Sequence, residues 1–267
     1  MTEYKTISIA ERMRGVSQIN MDREAVFNAF NENMIEELSQ AFEQLIADPK
    51  VRVIVLAGQG KHFSAGADLQ WMKKASEASV EWNLNDARVF AEMLNKIDTS
   101  PKPTIARVQG VALGGGTGLV CACDMAIAAN NAGFSVSEAK FGILPSVIGP
   151  YVINAVGKRQ ARMLALTTTR INAEEAHRIG LVHKVTELES LDTEIDTVLQ
   201  ELLAGGPNAQ HEIKQLFAQL NVGPVTDQVK ELTAQTISRV RSTDEAREGF
   251  NAFLEKRPAS WIPQINK

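Results

Sequence analysis

Cysteine is scarce: Cys121 and Cys123 are the two in 267 residues, and they stand one residue apart. At that spacing they cannot reach ordinary disulfide geometry with each other, and no third cysteine offers itself, so both are expected to be buried, reduced thiols. Metal ligands are equally thin, because His62, His177, His183 and His211 show no close pairing with the cysteines or with one another. No apolar run approaches the ~18 residues that a membrane-spanning helix needs. Neither sign of charge dominates: 28 Lys plus Arg stand against 32 Asp plus Glu, a net -4, with no long run of either. A basic face for nucleic acid or an anionic membrane is therefore not expected. The first ten residues carry Glu3 and Lys5. They lack both the apolar block of a secretory signal and the Arg-rich, acid-poor character of a transit segment, which predicts a cytoplasmic protein.

What is present is a globular composition, 44% hydrophobic and 22% charged, too apolar for disorder. The length suits one large domain, or a core with an appendage. Over the first two thirds, β-type runs alternate with helical ones. Thr6 to Ala10 and Val16 to Ile19 read as strands, Val51 to Ala57 as a strand covered on both faces, and Thr104 to Val108, Met125 to Ala129 and Phe134 to Val136 as further strands. Phe30, Met34, Leu38, Ala41, Phe42 and Leu45 recur at steps of three and four, one helix face that stops before Pro49. Leu84, Ala87, Ala91 and Leu94 mark another helix, ended by Pro101 and Pro103. The last third is helical alone. Asn172 is expected to cap Ala173 to Ile179, and Gly205-Gly206-Pro207 to part Leu191 to Ala204 from helices near Asn208 and Thr226. Ser242 with Glu245 reads as the capping box of the final helix. Such an appendage packs either on a neighbouring subunit or back on its own core, and the pattern leaves both open.

Two strands, one ending at Ala57 and one at Val108, are each followed by a small-residue turn and a helix start. A helix start offers unpaired N–H groups and partial positive charge, and glycine lets another molecule's oxygen approach the backbone. The cluster from Gly114 to Gly118 is not a nucleotide motif. No Lys-Ser/Thr follows its last glycine, and its spacing is not G-x-G-x-x-G. Ser64 in His62-Phe63-Ser64-Ala65-Gly66 is a poor nucleophile elbow, since His62 stands where a small residue is required and no triad partners declare themselves. Glu138 is more informative. It falls in phase with Phe134 and Val136 on the apolar side of an alternating strand, where desolvation raises a carboxyl pKa toward the range a proton shuttle needs. The other reading is a strand-end glutamate turned to water or paired with Lys140.

These residues resemble the crotonase, or enoyl-CoA hydratase/isomerase, superfamily over essentially the whole chain. The resemblance rests on Phe63 to Leu69, Gly110 to Gly116, Cys123 to Ala128, Phe134 to Pro145, Val156 to Lys158, Gly180 to Val182 and Phe253 to Arg257. It implies an α/β fold: a spiral of ββα units over residues 1–197, then a helical oligomerisation region over 198–267 that builds a homotrimer or homohexamer. It also implies that the backbone N–H groups of Ala67 and Gly115 form an oxyanion hole for the thioester carbonyl of an acyl-CoA. Ala65, Asp68, Leu69 and Gln70 would then lie along the CoA cleft, Gly114 and Gly118 would also belong to the substrate site, and Arg23 and Lys256 would meet the CoA phosphates. CoA enters as part of the substrate, with no metal or redox cofactor.

One departure matters. Typical hydratases of this family carry a glutamate at the position of Gly118 and a second at Glu138, so here the pair is incomplete. Glu138 would act as the single acid/base, with Ser146 or Tyr151 as hydroxyl anchors for water. Phe63 to Met72, Gly116 to Gly118 and Leu144 to Pro150 resemble most the bacterial methylglutaconyl-CoA and isoprenyl-glutaconyl-CoA hydratases of leucine and acyclic terpene breakdown. The missing side chain at Gly118 is expected to leave room for a branched acyl group. The alternatives are a Δ3,Δ2-enoyl-CoA isomerase, which needs one carboxylate, and a non-catalytic acyl-CoA-binding protein.

Overall fold

The computed structural model describes residues 4–263; residues 1–3, Glu3 among them, and 264–267 lie outside the description. In chain order the strands and helices begin with β1 (Ile7–Met13), β2 (Val16–Met21), α1 (Glu32–Ala47), β3 (Val53–Gly58), α2 (Leu69–Glu77) and α3 (Val80–Asp98). There follow β4 (Thr104–Val108), β5 (Val111–Leu113), α4 (Gly115–Ala122), β6 (Met125–Ala129), β7 (Gly133–Ser135) and α5 (Gly149–Thr167). The chain closes with β8 (Ile171–Asn172), α6 (Ala173–Arg178), β9 (Lys184–Thr186), α7 (Leu191–Ala204), α8 (Pro207–Gln219), α9 (Asp227–Arg241) and α10 (Asp244–Leu254).

A six-stranded sheet runs β1-β2-β3-β4-β6-β9, parallel except for the β1–β2 hairpin, and a three-stranded sheet runs β5-β7-β8. The ββα repeat is visible in β4-β5-α4 and β6-β7-α5, where the first strand joins the large sheet and the second the small one. The large sheet is covered on both faces, as a parallel sheet requires. Ile54 and Leu56 of β3 point into one core with Met34, Leu38 and Phe42 of α1 and Met93, Leu94 and Ile97 of α3. Val53 and Val55 point into a second with Leu191, Ile195, Leu199 and Leu203 of α7. That is why the β3 sequence is apolar at every position instead of alternating.

The division expected at residue 197 moves to Gly205. Helix α7 is continuous across 197, its apolar stripe is buried on the sheet, and Arg107 of β4 holds Asp192 in its first turn through two bonds of 2.8 and 2.7 Å. The true break is Gly205-Gly206, with Pro207 opening α8. Beyond it, no residue of α8 or α9 is buried, and Ala252 alone is buried in α10. The expected capping box is also corrected. Thr243, not Ser242, caps α10 by accepting the Ala246 N–H at 3.2 Å. Glu245 turns away to accept the Asn208 and Ala209 N–H groups at 2.9 and 2.8 Å, so its carboxylate serves the N-terminus of α8, where negative charge is favoured.

Candidate active site

The carboxyl end of β3, and that of β4 by way of the short strand β5, lead into two adjoining turns, the usual location of a site in a sheet of this kind. After β3 the chain is zipped to the segment that follows β4: Phe63 N–H donates to Gln109 O at 2.8 Å, Ser64 N–H to Val111 O at 2.9 Å, and Leu113 N–H to Ser64 O at 3.0 Å. Its other edge is zipped to the segment before α1. There Ala65 N–H donates to Phe27 O at 2.9 Å, Phe30 N–H to Gly66 O at 2.8 Å, and Asp68 N–H to Phe30 O at 3.0 Å. Gly66 N–H donates to Ser64 Oγ. Among the described residues, every amide from Phe63 to Asp68 thus has a protein acceptor except that of Ala67. In the second turn Gly114 N–H donates to Ser135 O at 2.7 Å, and Gly115 opens α4, where the first amides lack intrahelical acceptors.

The two turns touch. A methyl group on Gly66 would stand 2.6 Å from Leu113 O and 3.8 Å from Gly115 N. Gly66 has φ +90° and Gly114 φ +51°, backbone settings that a side chain resists. Gly115 is covered from behind: a Cβ there would stand 2.9 Å from Phe30 Cε1 and 3.1 Å from Phe90 Cζ. Trp71 packs on both rings, at 5.8 and 6.4 Å between centroids, and the position of α4 is set from this side.

Glu138 reaches the same place by a different route from the one the sequence suggested. Strand β7 ends at Ser135, Ser137 turns helical, and Glu138 opens a single 3-10 turn over Glu138–Phe141 that Gly142 closes. Its Oε1 lies 3.2 Å from where a Cβ on Gly114 would be, and Ser137 Oγ lies 3.3 Å from the same point. Its Oε2 is buried without a hydrogen-bond partner. Burial pushes the carboxyl pKa up, against the opposing pull of the Glu138 and Ser137 backbone N–H groups. A half-buried carboxylate with one oxygen unclaimed, beside two amide-bearing turns, can move a proton on a ligand held there.

A sequence-family model described as enoyl-CoA hydratase/isomerase matches residues 11–264. A crotonyl-CoA hydratase of Syntrophomonas wolfei is 35% identical over 97% of this chain and 98% of its own length. A putative enoyl-CoA hydratase of Thermus thermophilus is 34% identical over 86% and 91%. The crystal structure of an enoyl-CoA hydratase from Shewanella pealeana superposes with a TM-score of 0.93 at 38% identity, covering 97% of each chain. The chain belongs to the enoyl-CoA hydratase/isomerase family.

Within this hydratase/isomerase chain, several residues sit otherwise than expected. Gly118 faces no void: a Cβ there would stand 2.8 Å from Ile148 Cβ and closer still to Ile148 Cγ2. Ile148, itself 1% exposed, fills the space in which a branched acyl group was expected. Arg23 is engaged within the protein, donating to Ala29 O and to Asp68 Oδ2 at 3.0 Å. Asp68 also accepts the Gln70 N–H at 2.8 Å and so caps α2. Burial works against its ionisation, but the Gln70 N–H and Arg23 outweigh that and hold its pKa below the ordinary carboxylate value. Arg23 and Asp68 therefore brace the Ala67 turn. Leu69 and Gln70 lie exposed at the start of α2, and Ala65 is half-buried between the two zips. Lys256 is exposed just beyond α10, with φ +55°.

Ser146 is exposed, and burial first, then the negative charges of Asp98 and Glu92, push the Tyr151 phenol pKa up. The hydroxyl beside Glu138 is that of Ser137, which the alternating reading had placed on the opposite face. The early end of β7 left no mark in the sequence. A cavity of about 840 Å³ at the opposite ends of β4 and β6, lined by Asp98, Asp124, Lys214 and Phe217 among others, includes none of Ala67, Gly115, Ser137 and Glu138.

Proposed function

We propose that the protein adds water across the 2,3 double bond of an enoyl-CoA. The thioester oxygen accepts the N–H groups of Ala67 and Gly115. Glu138, ionised, removes a proton from a water whose oxygen bonds to C3, and the π electrons move into a thioester enolate held by the two amides. The protonated Glu138 then returns the proton to C2, leaving a 3-hydroxyacyl-CoA and the carboxylate as it began. Charge builds on the acyl oxygen during this step, and one preorganised donor lost from such a hole costs roughly 10²- to 10³-fold in kcat. Ser137 Oγ is our choice for the group that orients the water. CoA arrives with the substrate, and no step written here calls on a metal or redox cofactor.

The observation that carries this reading is the unclaimed Glu138 Oε2, whose partner oxygen Oε1 lies 3.2 Å from where a Cβ on Gly114 would be, in the turn that touches the one holding the unclaimed Ala67 amide. For the acyl group we propose a 3-methylglutaconyl-CoA type of substrate, supported by the resemblance of residues 63–72 and 144–150; the closed space beside Gly118 lends it no support. We also propose that the active form is a trimer or a pair of trimers. The test is a panel of unsaturated thioesters that includes crotonyl-CoA, 3-methylglutaconyl-CoA and a 3-enoyl-CoA, with products weighed by mass spectrometry. A gain of one water on the 2-enoyl substrates is expected, abolished in Glu138→Gln and strongly reduced in Ala67→Pro. Consumption of the 3-enoyl substrate without mass change would replace hydration with double-bond isomerisation, and binding without turnover would leave a carrier.

A further inference from the structure

His62 sits in the joint between the two amide-bearing turns. Its Nδ1 accepts the Val111 N–H at 3.2 Å, and its carbonyl accepts Asn28 Nδ2 at 2.8 Å. The ring is wedged in place: Gly110 packs so closely that a Cβ there would collide with Nδ1, and Phe27 meets the ring edge-on at 5.0 Å between centroids. An imidazole nitrogen that accepts a hydrogen bond carries no proton, so the ring is neutral with its proton on Nε2. The bond to Val111 belongs to the zip that continues through Ser64 N–H to Val111 O and Leu113 N–H to Ser64 O. That zip ends at Gly66 and Gly115, the residues through which the turns touch.

We propose that His62 is a positioning residue: its neutral Nδ1 holds the Val111 amide and thereby keeps the Ala67 and Gly115 amides in register for the acyl oxygen, and protonation of Nδ1 releases that register and lowers turnover. The inference rests on the oxyanion reading above. Protonating Nδ1 would turn a donor–acceptor pair into two donors face to face, so the bond is not weakened but lost. Burial first, then the cations Lys61 beside it and Arg170 ahead of β8, hold the ring's pKa below the ordinary imidazole value. No carboxylate among the described residues offsets these two charges in the shift. The release therefore falls in mildly acidic solution, and the neutral ring prevails at neutrality. His183 provides an internal contrast, since its Nδ1 accepts the Ala126 N–H at 3.1 Å, the same kind of bond made between β6 and the approach to β9.

Asparagine can present Oδ1 near the position of Nδ1 and does not titrate, whereas leucine offers no acceptor. Turnover of the faster of crotonyl-CoA and 3-methylglutaconyl-CoA is followed from roughly pH 5 to 8, the range of histidine titration, for wild type, His62→Asn, His62→Leu and His183→Asn. In acid, wild-type kcat should fall more steeply than one proton allows, because Glu138 and His62 both take protons. His62→Asn should keep near-wild-type kcat at neutrality and fall with a single-proton slope, and His183→Asn should follow wild type. His62→Leu should lose roughly ten- to a hundredfold in kcat at every pH, as slight misplacement of reacting groups does, with KM little changed. Superimposable wild-type and His62→Asn profiles, or wild-type kcat in His62→Leu, would overturn the proposal. Should His62→Leu fail to fold, the comparison with His62→Asn still decides. Full turnover by Glu138→Gln and Ala67→Pro would instead defeat the oxyanion reading itself, and so would the failure of both thioesters to react.

Discussion

At the residue scale the site turns on one carboxylate whose environment favours its neutral form. The folded pKa of Glu138 is raised above its ordinary value of 4.5. Between those two values the folded chain binds more protons than the unfolded one, so stability falls as pH rises through that window and the penalty persists above it. Replacing Glu138 with Gln removes the penalty. The variant is expected to melt higher than wild type at pH ~7 and to lose that advantage well below the unfolded carboxyl pKa, as thermal melts across pH will read. The same change should lower kcat by about 10²- to 10⁴-fold, the usual worth of a general acid/base, while acyl-CoA still binds. A residue that costs stability where it serves chemistry is the expected trade. A variant that melts no higher at neutral pH would mean that the carboxylate is better satisfied than its unclaimed oxygen implies. Glu138 was legible in the sequence because burial follows from apolar neighbours whether or not the strand continues. Ser137 was not, because its direction depends on where β7 stops, and that is decided by contacts distant in the chain.

At the element scale, periodicity located β1 to β4, β6, β7, α1 and α3, missed β5, β8, β9 and the 19-residue α5, and placed caps less well. Val51 to Ala57 announces a doubly covered strand because neither face can be polar, though the strand itself runs Val53–Gly58, and Asn172 caps α6 through the Glu175 N–H as expected, whereas the Asn31 cap of α1 through the Met34 N–H was not singled out. Glu245 misled because a carboxylate three residues into a helix has two helix ends within reach here, and the tertiary one prevailed. The packing of α4 against the residues before α5 was also illegible, since a glycine states what is missing and not what takes its place. That packing makes a prediction. Gly118→Ala should destabilise the fold by about 1–3 kcal/mol through overpacking against Ile148, and Ile148→Ala by about 2–5 kcal/mol through the cavity it leaves. The added methyl enters part of that cavity, so in urea titrations the double variant should cost less than the sum. Strict additivity would show that the two residues do not share one space. By the same contact, a glutamate placed at position 118 of this chain would collide with Ile148.

At the scale of the whole molecule, the chain has two cores on one sheet and a tail with almost none. The helices beyond Gly205 and the Gly205-Gly206-Pro207 break before them were plain from the sequence, but that α7 belongs to the core was not, because only the second face of the sheet explains its apolar stripe. Beyond that point Ile213, Phe217, Ile237, Phe250, Phe253 and Leu254 are all exposed. The tail is held to the core by a few polar ties: Lys214 to Asp124 at 2.6 Å, Arg52 to Gly205 O at 2.7 Å, and Trp261 Nε1 to Ala204 O at 3.0 Å. Ties of this kind contribute little beside what buried apolar side chains do, ~1.5–3 kcal/mol apiece. Three helices with an unpaired apolar side are stable when another surface covers it, and the proposed trimer supplies one from a second copy. Light scattering on the purified chain should therefore return three or six times the monomer mass. Phe253→Asp, which puts a charge on that side without touching either core, should lower the mass and the melting temperature together. A wild-type chain that stays monomeric at micromolar concentration with an unchanged melt would require the tail to be stable alone, against the burial seen here.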